Sequence, residues 1–143
     1  MNAIENKTFK IQLVTSWPIE EIVALYKAGH WWREWYHTSQ ISSLIAQSFA
    51  FAVAVDTTTG KAVGMGRVLS DGISDAYIQD VVLLPKYRKY GLGTKLVQML
   101  ISQCKKCGIH WIGCIAEPGI EQFYKELGFR PMKGHTAMLL QEE

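Results

Sequence analysis

Apolar and polar residues alternate from Phe9 to Val14, the two-residue period of a half-buried strand. The period then lengthens. Ser16-Trp17-Pro18-Ile19-Glu20 supplies a capping residue, a proline in the first turn and acids behind it, which predicts a helix start. Ile22, Val23, Leu25 and Tyr26 give that helix an apolar face, and Gly29 ends it. Thr38-Ser39 is placed to cap a second helix carrying Ile41, Leu44 and Ile45. Two β-branched, apolar runs follow, Phe49 to Asp56 and Lys61 to Val68, joined by Thr57-Thr58-Thr59-Gly60 as a hairpin loop. Gly64 and Gly66 weaken the second run and mark a bulge or a close backbone approach. Leu69 to Ser74 reads as a turn, and Asp75 to Leu84 as a long strand stopped by Pro85. Thr94 to Cys107 is strongly helical in period, ended by Gly108. Ile109 to Ala116 is another strand, Ile120 to Leu127 a short helix ended by Gly128, and Thr136 to Leu140 a last strand.

The predicted order is β-α-α-β-β-β-α-β-α-β, without repeat, linker or low-complexity stretch, so residues 1–143 are read as one α+β domain. That length supports a core without disulfides or metals. Apolar residues make up 48% and charged residues 20% of the chain, ordinary for a folded soluble domain. The net charge is +2 and the isoelectric point about 8.4. The densest basic stretch, Lys86-Tyr87-Arg88-Lys89, suits a small anion rather than a nucleic-acid duplex. No apolar run reaches the ~18 residues of a membrane-spanning helix, and Met1 to Lys10 lacks a secretory signal's apolar stretch. A cytoplasmic protein with neither nucleic-acid nor membrane partner is expected. Cys104 and Cys107 have a C-x-x-C spacing, but Val97, Leu100, Cys104 and Cys107 recur at helical intervals. The two thiols, and Cys114 with them, are read as buried core residues.

The chemistry concentrates between Asp80 and Cys107. A strand containing Val81-Val82-Leu83-Leu84 runs through Pro85-Lys86-Tyr87-Arg88-Lys89-Tyr90-Gly91-Leu92-Gly93-Thr94 into a helix. The first N–H groups of a helix have no internal partner and point one way, and the helix dipole favours an anion there. Gly91 and Gly93 let a phosphate approach the main chain. Arg88 and Lys89 add donors suited to phosphate oxygens. A plain helix start with two glycines is the alternative on the loop alone. The Walker and dinucleotide fingerprints are both absent.

Arg88-x-x-Gly91-x-Gly93, after an apolar strand and Pro85, resembles the acetyl-CoA-binding motif of the GNAT superfamily, the general-control-related N-acetyltransferases. Phe123-Tyr124-Lys125-Glu126-Leu127-Gly128-Phe129 is similar to that family's closing helix, and together the two signatures cover about Tyr77 to Pro131. The resemblance implies a single-domain fold with a mixed, mostly antiparallel sheet flanked by helices on both faces. It implies that the main chain of Val81, Val82 and Leu83 pairs with the pantetheine arm of acetyl-CoA. The loop Arg88, Lys89, Tyr90, Gly91, Leu92, Gly93 and Thr94 would hold the pyrophosphate. Tyr124 matches the tyrosine proposed to protonate the departing thiolate of coenzyme A. Many relatives carry an acid two residues before the position of Val81, where this chain has Gln79. Asp80 and Glu117 are then equal candidates for the base, each with an alternative: a structural role for Asp80, helix capping for Glu117.

The resemblance places the acceptor near Gly29 to His37, a segment dense in aromatic rings. Trp31, Trp32, Trp35 and Tyr36 are available as an apolar or cation-binding wall. At least two of these rings are expected to close the core instead; Trp31 and Trp32 are assigned to the acceptor. The acceptor expected is a primary amine, small or amino-acid-like, attacked directly in a ternary complex. The alternative is an acyl-CoA-binding sensor without turnover, motivated by Gln79. Homodimers are frequent in the resembled family, so a homodimer is allowed.

Overall fold

A computed structural model describes residues 8–142. Five strands form one sheet in the order β1-β2-β3-β4-β5: β1 (Phe9–Leu13), β2 (Ala50–Asp56), β3 (Lys61–Ser70), β4 (Asp75–Leu83) and β5 (Trp111–Cys114). The first four pair antiparallel, and β4 pairs with β5 in parallel. The helices are α1 (Ile19–Ala28), α2 (Ile41–Gln47), α3 (Leu92–Lys106) and α4 (Glu121–Glu126). This is the expected α+β architecture with a mixed, mostly antiparallel sheet.

The central strand β2 explains why helices lie on both faces. Its sequence, Ala-Phe-Ala-Val-Ala-Val-Asp, is buried throughout. Ala50, Ala52 and Ala54 meet the α3 side with Leu92, Leu96, Val97, Leu100 and Cys104. Phe51, Val53 and Val55 meet the α1–α2 side with Ile22, Leu25, Tyr26, Ile41 and Ile45. Alternate residues of a strand point to opposite faces, so small residues admit the long helix closely while large ones fill the space under the two short ones.

The glycines of β3 mark both a bulge and a close approach. Opposite β2 the register slips at Val63, because Ala54 pairs with Gly64 and Val55 with Ala62. Opposite β4, Met65 pairs with Val82 and Arg67 with Gln79. Gly66 therefore faces both Asp80 and Val81, a bulge in β4. A Cβ on Gly64 would lie 2.4 Å from Leu83 Cδ1 and 3.2 Å from the Val82 carbonyl oxygen.

Four expectations are corrected. Thr136 to Leu140 form no strand; Met138, Leu139 and Leu140 stand 90%, 83% and 84% exposed and find no strand to pair with. Strand β5 stops at Cys114 rather than Ala116, because the bulge turns β4 away and leaves the later residues without a partner. Helix α3 begins at Leu92, since Gly91, with φ of 72°, is the left-handed residue that turns the chain into it. Cys107 is exposed, because it follows the last turn of α3 and leaves the buried face on which Cys104 sits; Cys114 is half-buried.

Gly64→Val is expected to destabilise the protein by about 1–3 kcal/mol through overpacking. A lower urea midpoint with an unchanged slope would register it.

Candidate active site

Strands β4 and β5 are paired only from Asp75–Trp111 to Ile78–Cys114. Beyond Ile78, β4 continues to Leu83 without a neighbour on that side. The divergence opens a cleft of about 720 Å³. One end is lined by Val81, Val82, Leu83, Arg88, Gly91, Gly93 and Thr94, the other by His30, Trp31, Tyr77, Gln79, Glu117 and Tyr124. The cleft thus joins a strand edge, a helix N-terminus and a set of proton-carrying side chains.

At the first end, the unpaired side of Gln79–Leu83 offers backbone donors and acceptors to an extended ligand arm. The opening amides of α3 lack intrahelical partners. Gly93 keeps the start of α3 close to α4: a Cβ there would meet the Phe123 ring at 3.4 Å. Arg88 donates through Nε to the Leu83 carbonyl oxygen at 3.1 Å, which fixes its guanidinium between the end of β4 and the helix start.

Not every loop residue faces the cleft. Leu92 is buried in the core beneath α3. Tyr90 packs its ring on Phe9, with centroids 4.9 Å apart, and anchors the loop to β1. Lys89 is exposed beside the cleft wall. The side chains of these three therefore do not line the cavity, and only their backbone remains available for an anion.

Asp80 has φ of 58°, in the left-handed region that non-glycine residues rarely occupy. Its Oδ2 accepts from Arg67 Nε at 2.7 Å and from the Tyr26 hydroxyl at 2.8 Å. Both bonds are strengthened by charge and hold the bulge in place. Asp80 also lines the cleft, but a carboxylate with one oxygen engaged twice and paired to a guanidinium supports backbone shape better than proton abstraction.

Glu117 is differently disposed. Its Oε1 accepts from Trp31 Nε1 at 2.7 Å, a bond that ties the end of α1 to the loop after β5. Tyr124, half-buried on α4, is held edge-on between Phe123 and Phe129, with centroids 5.0 and 5.4 Å away. Burial pushes its phenol up to about 12, with smaller contributions from Cys114 and Glu117. The hydroxyl therefore keeps its proton across the neutral range. Trp32 lies outside the cleft; it packs on the α1–α2 core and edge-on to Tyr36, with centroids 5.6 Å apart. Trp31 packs on the same core, and of the two rings it is the one that lines the cleft.

Residues 24–138 match the family model of the acetyltransferase (GNAT) domain. The chain belongs to the GNAT family. Among solved structures, a GNAT family acetyltransferase from Streptococcus pneumoniae is similar with a TM-score of 0.77 at 22% identity, covering 94% of this chain and 98% of that one. A glucosamine-6-phosphate N-acetyltransferase from Arabidopsis thaliana gives 0.71 at 19% identity, covering 94% and 99%. At these identities the likeness shows the GNAT fold alone. Among curated relatives, the uncharacterized N-acetyltransferase ycf52 of Porphyra purpurea is 38% identical over 93 residues, 65% of this chain and 49% of that protein. The chloroplastic serotonin N-acetyltransferase 2 of Oryza sativa is 32% identical over 76 residues, 53% and 38% of the respective chains. The chain thus spans less than half the length of either relative.

Within this GNAT domain, sequence reasoning missed Arg67 and Tyr26. Arg67 is the one charged residue inside the run Ala62 to Val68, and that interruption was the available signal. Tyr26 reads as an ordinary member of an apolar helix face, yet its hydroxyl reaches a residue 54 positions away.

Burial, followed by the Asp80 carboxylate, raises the Tyr26 phenol. Tyr26 and Tyr124 are therefore both protonated preferentially in the folded state. That contribution is complete below the unfolded value of about 10 and is lost as pH rises above it, through about 12 for Tyr124. Denaturation midpoints are expected to be level at neutral pH and to fall in alkali. Tyr26→Phe should flatten the decline by about 1.4 kcal/mol per pH unit; an unaltered alkaline slope would contradict the assignment.

Proposed function

We propose that the protein transfers the acetyl group of acetyl-CoA to a primary amine by direct attack in a ternary complex. The observation that carries this reading is the single cleft joining the open edge of β4 and the start of α3 to Tyr124 and Glu117. The pantetheine arm lies along Val81–Leu83 as an added strand. The pyrophosphate sits on the amides before and within the first turn of α3, with Arg88 beside it. This arrangement directs the thioester toward the far end of the cleft.

The amine must first lose a proton. Glu117 is assigned this task, directly or through water, because the Asp80 carboxylate is engaged by Arg67 and Tyr26. The nitrogen then bonds to the thioester carbon and, now cationic, gives up a second proton to water; the tetrahedral intermediate collapses with loss of the carbon–sulfur bond, and the proton that Tyr124 supplies is restored from solvent. Tyr124, protonated in the neutral range, donates to the sulfur as negative charge develops there. Its raised pKa keeps the proton in place for donation, at a cost in acid strength, and excludes service as a base at neutral pH. Coenzyme A and the acetylated amine are the products.

The acceptor end combines the Glu117 carboxylate with the faces of Trp31 and Tyr77, chemistry that suits an ammonium on an apolar body. A small amine or amino-acid-like acceptor fits it, and the rice relative's name places serotonin in the test panel. Gln79 on the cleft wall supports a second reading, a sensor that binds acyl-CoA without turnover.

Calorimetric titration with acetyl-CoA, followed by thiol release with a panel of amines, tests the proposal. Absence of cofactor binding at millimolar concentration would remove it, and binding without amine-dependent thiol release would favour the sensor. Tyr124→Phe is expected to lower kcat by about 10²-fold or more while cofactor affinity stays the same. Glu117→Gln should lower kcat/KM for the amine by about tenfold or more and alter the acidic limb of its pH profile. An unchanged limb would reassign the base.

A further inference from the structure

Strand β2 ends on an acid. Asp56 is 1% exposed, the one charged side chain fully buried among the described residues. A buried carboxylate is costly unless hydrogen bonds replace its water. The hairpin turn after β2 holds the residue in place. The Gly60 N–H donates to the Asp56 carbonyl oxygen at 2.7 Å, and the Thr58 N–H to Oδ1 at 2.9 Å. The other carboxylate oxygen, Oδ2, accepts from the Tyr87 hydroxyl at 3.0 Å, across 31 positions of sequence. Tyr87 closes the single turn Pro85–Tyr87 and stands immediately before Arg88. Its ring meets Phe9 edge-on with centroids 5.9 Å apart, and Tyr90 meets the same Phe9 at 4.9 Å. Phe9 and Asp56 are themselves direct partners across β1 and β2. One cross-strand pair therefore anchors two tyrosines, and those tyrosines bracket Arg88 and Lys89. Asp56, Phe9, Tyr87 and Tyr90 all stand outside the cleft.

We infer that Asp56 is a positioning residue for the pyrophosphate of acetyl-CoA, acting through Tyr87 on the loop before α3. The inference rests on the acetyl-CoA reading above. The opening amides of α3 and the Arg88 side chain have to converge on one anion. A loop already held in that shape binds without an ordering cost. The buried strand end supplies the hold, and the hydrogen bond to Asp56 Oδ2 fixes where the turn before Arg88 sits. Charge and geometry act here with opposite signs. A carboxylate behind an anion site opposes the anion, so removing its charge should tighten binding on electrostatic grounds alone. Releasing the loop should weaken binding. The direction of the change therefore separates positioning from charge.

Calorimetric titration with acetyl-CoA and turnover with two acyl donors test this on the full chain. S-acetylpantetheine carries the thioester and the pantetheine arm but no pyrophosphate. Asp56→Asn and Tyr87→Phe are each expected to weaken acetyl-CoA binding about tenfold, the loss of one hydrogen bond to a charged group. Turnover at saturating acetyl-CoA and kcat/KM for S-acetylpantetheine should stay at the parent values. If the chain binds without turnover, displacement of acetyl-CoA by S-acetylpantetheine gives the same comparison. The double variant should bind little more weakly than either single one, because both remove the same bond. Tyr87→Phe keeps the ring on Phe9, so it answers the question if Asp56→Asn does not fold. Acetyl-CoA affinity that is unchanged in both variants, or tighter in Asp56→Asn, would overturn the inference. So would an equal loss with both donors, which would mean general damage to the domain. A parent chain that binds no acetyl-CoA would remove the cofactor reading itself, whereas a parent that binds it no better than both variants would overturn this inference alone.

Discussion

The ion pair between Arg67 and Asp80 holds a backbone conformation that would otherwise be unfavourable. A non-glycine residue in the left-handed region carries a penalty of about 1–3 kcal/mol, and Asp80 occupies it in the middle of a strand. The guanidinium of Arg67 on the neighbouring strand and the hydroxyl of Tyr26 on α1 both converge on one carboxylate oxygen. Their joint hold lets β4 spend two residues against Gly66 and bend. Without the bend β4 would continue alongside β5, and the space between them would close. The cleft is thus a consequence of a defect in the sheet, and the defect rests on three side chains from three elements.

The rest of the molecule makes that defect tolerable. Strand β2 is sealed on both faces, with α3 against its alanines and α1–α2 against its larger residues. The pairing of β1 through β4 is continuous apart from the two bulges. Rigid support on one side of the sheet allows the β4–β5 side to diverge. Gly93 and Phe123 connect the two sequence signatures physically, since the absence of a side chain at one lets the helix start approach the ring of the other.

Local signals made much of this legible in the sequence. The periodicity of Ile22 to Tyr26 and of the α3 segment, the apolar run of β2, and the Gly91 turn each depend on near neighbours. The glycines of β3 announced an irregularity without saying which partner strand was bent. What escaped was long-range. Nothing near Asp80 shows that Arg67 and Tyr26 would occupy it, and nothing near Trp32 shows that, of two tryptophans packed on one core, Trp31 is the one that also reaches the cleft. The segment Thr136 to Leu140 has a strand's composition, but pairing depends on a partner that composition does not contain.

Trp31 and Glu117 lie 86 residues apart, yet one hydrogen bond laces them across the mouth of the cleft. A guest that reaches that carboxylate has to displace the indole, and one with a donor of its own replaces the bond it breaks. Admission is then an exchange of like for like. A guest without such a donor would strand the oxygen that the indole had satisfied. The doorway itself therefore favours guests that carry a hydrogen-bond donor, before any covalent bond is made or broken.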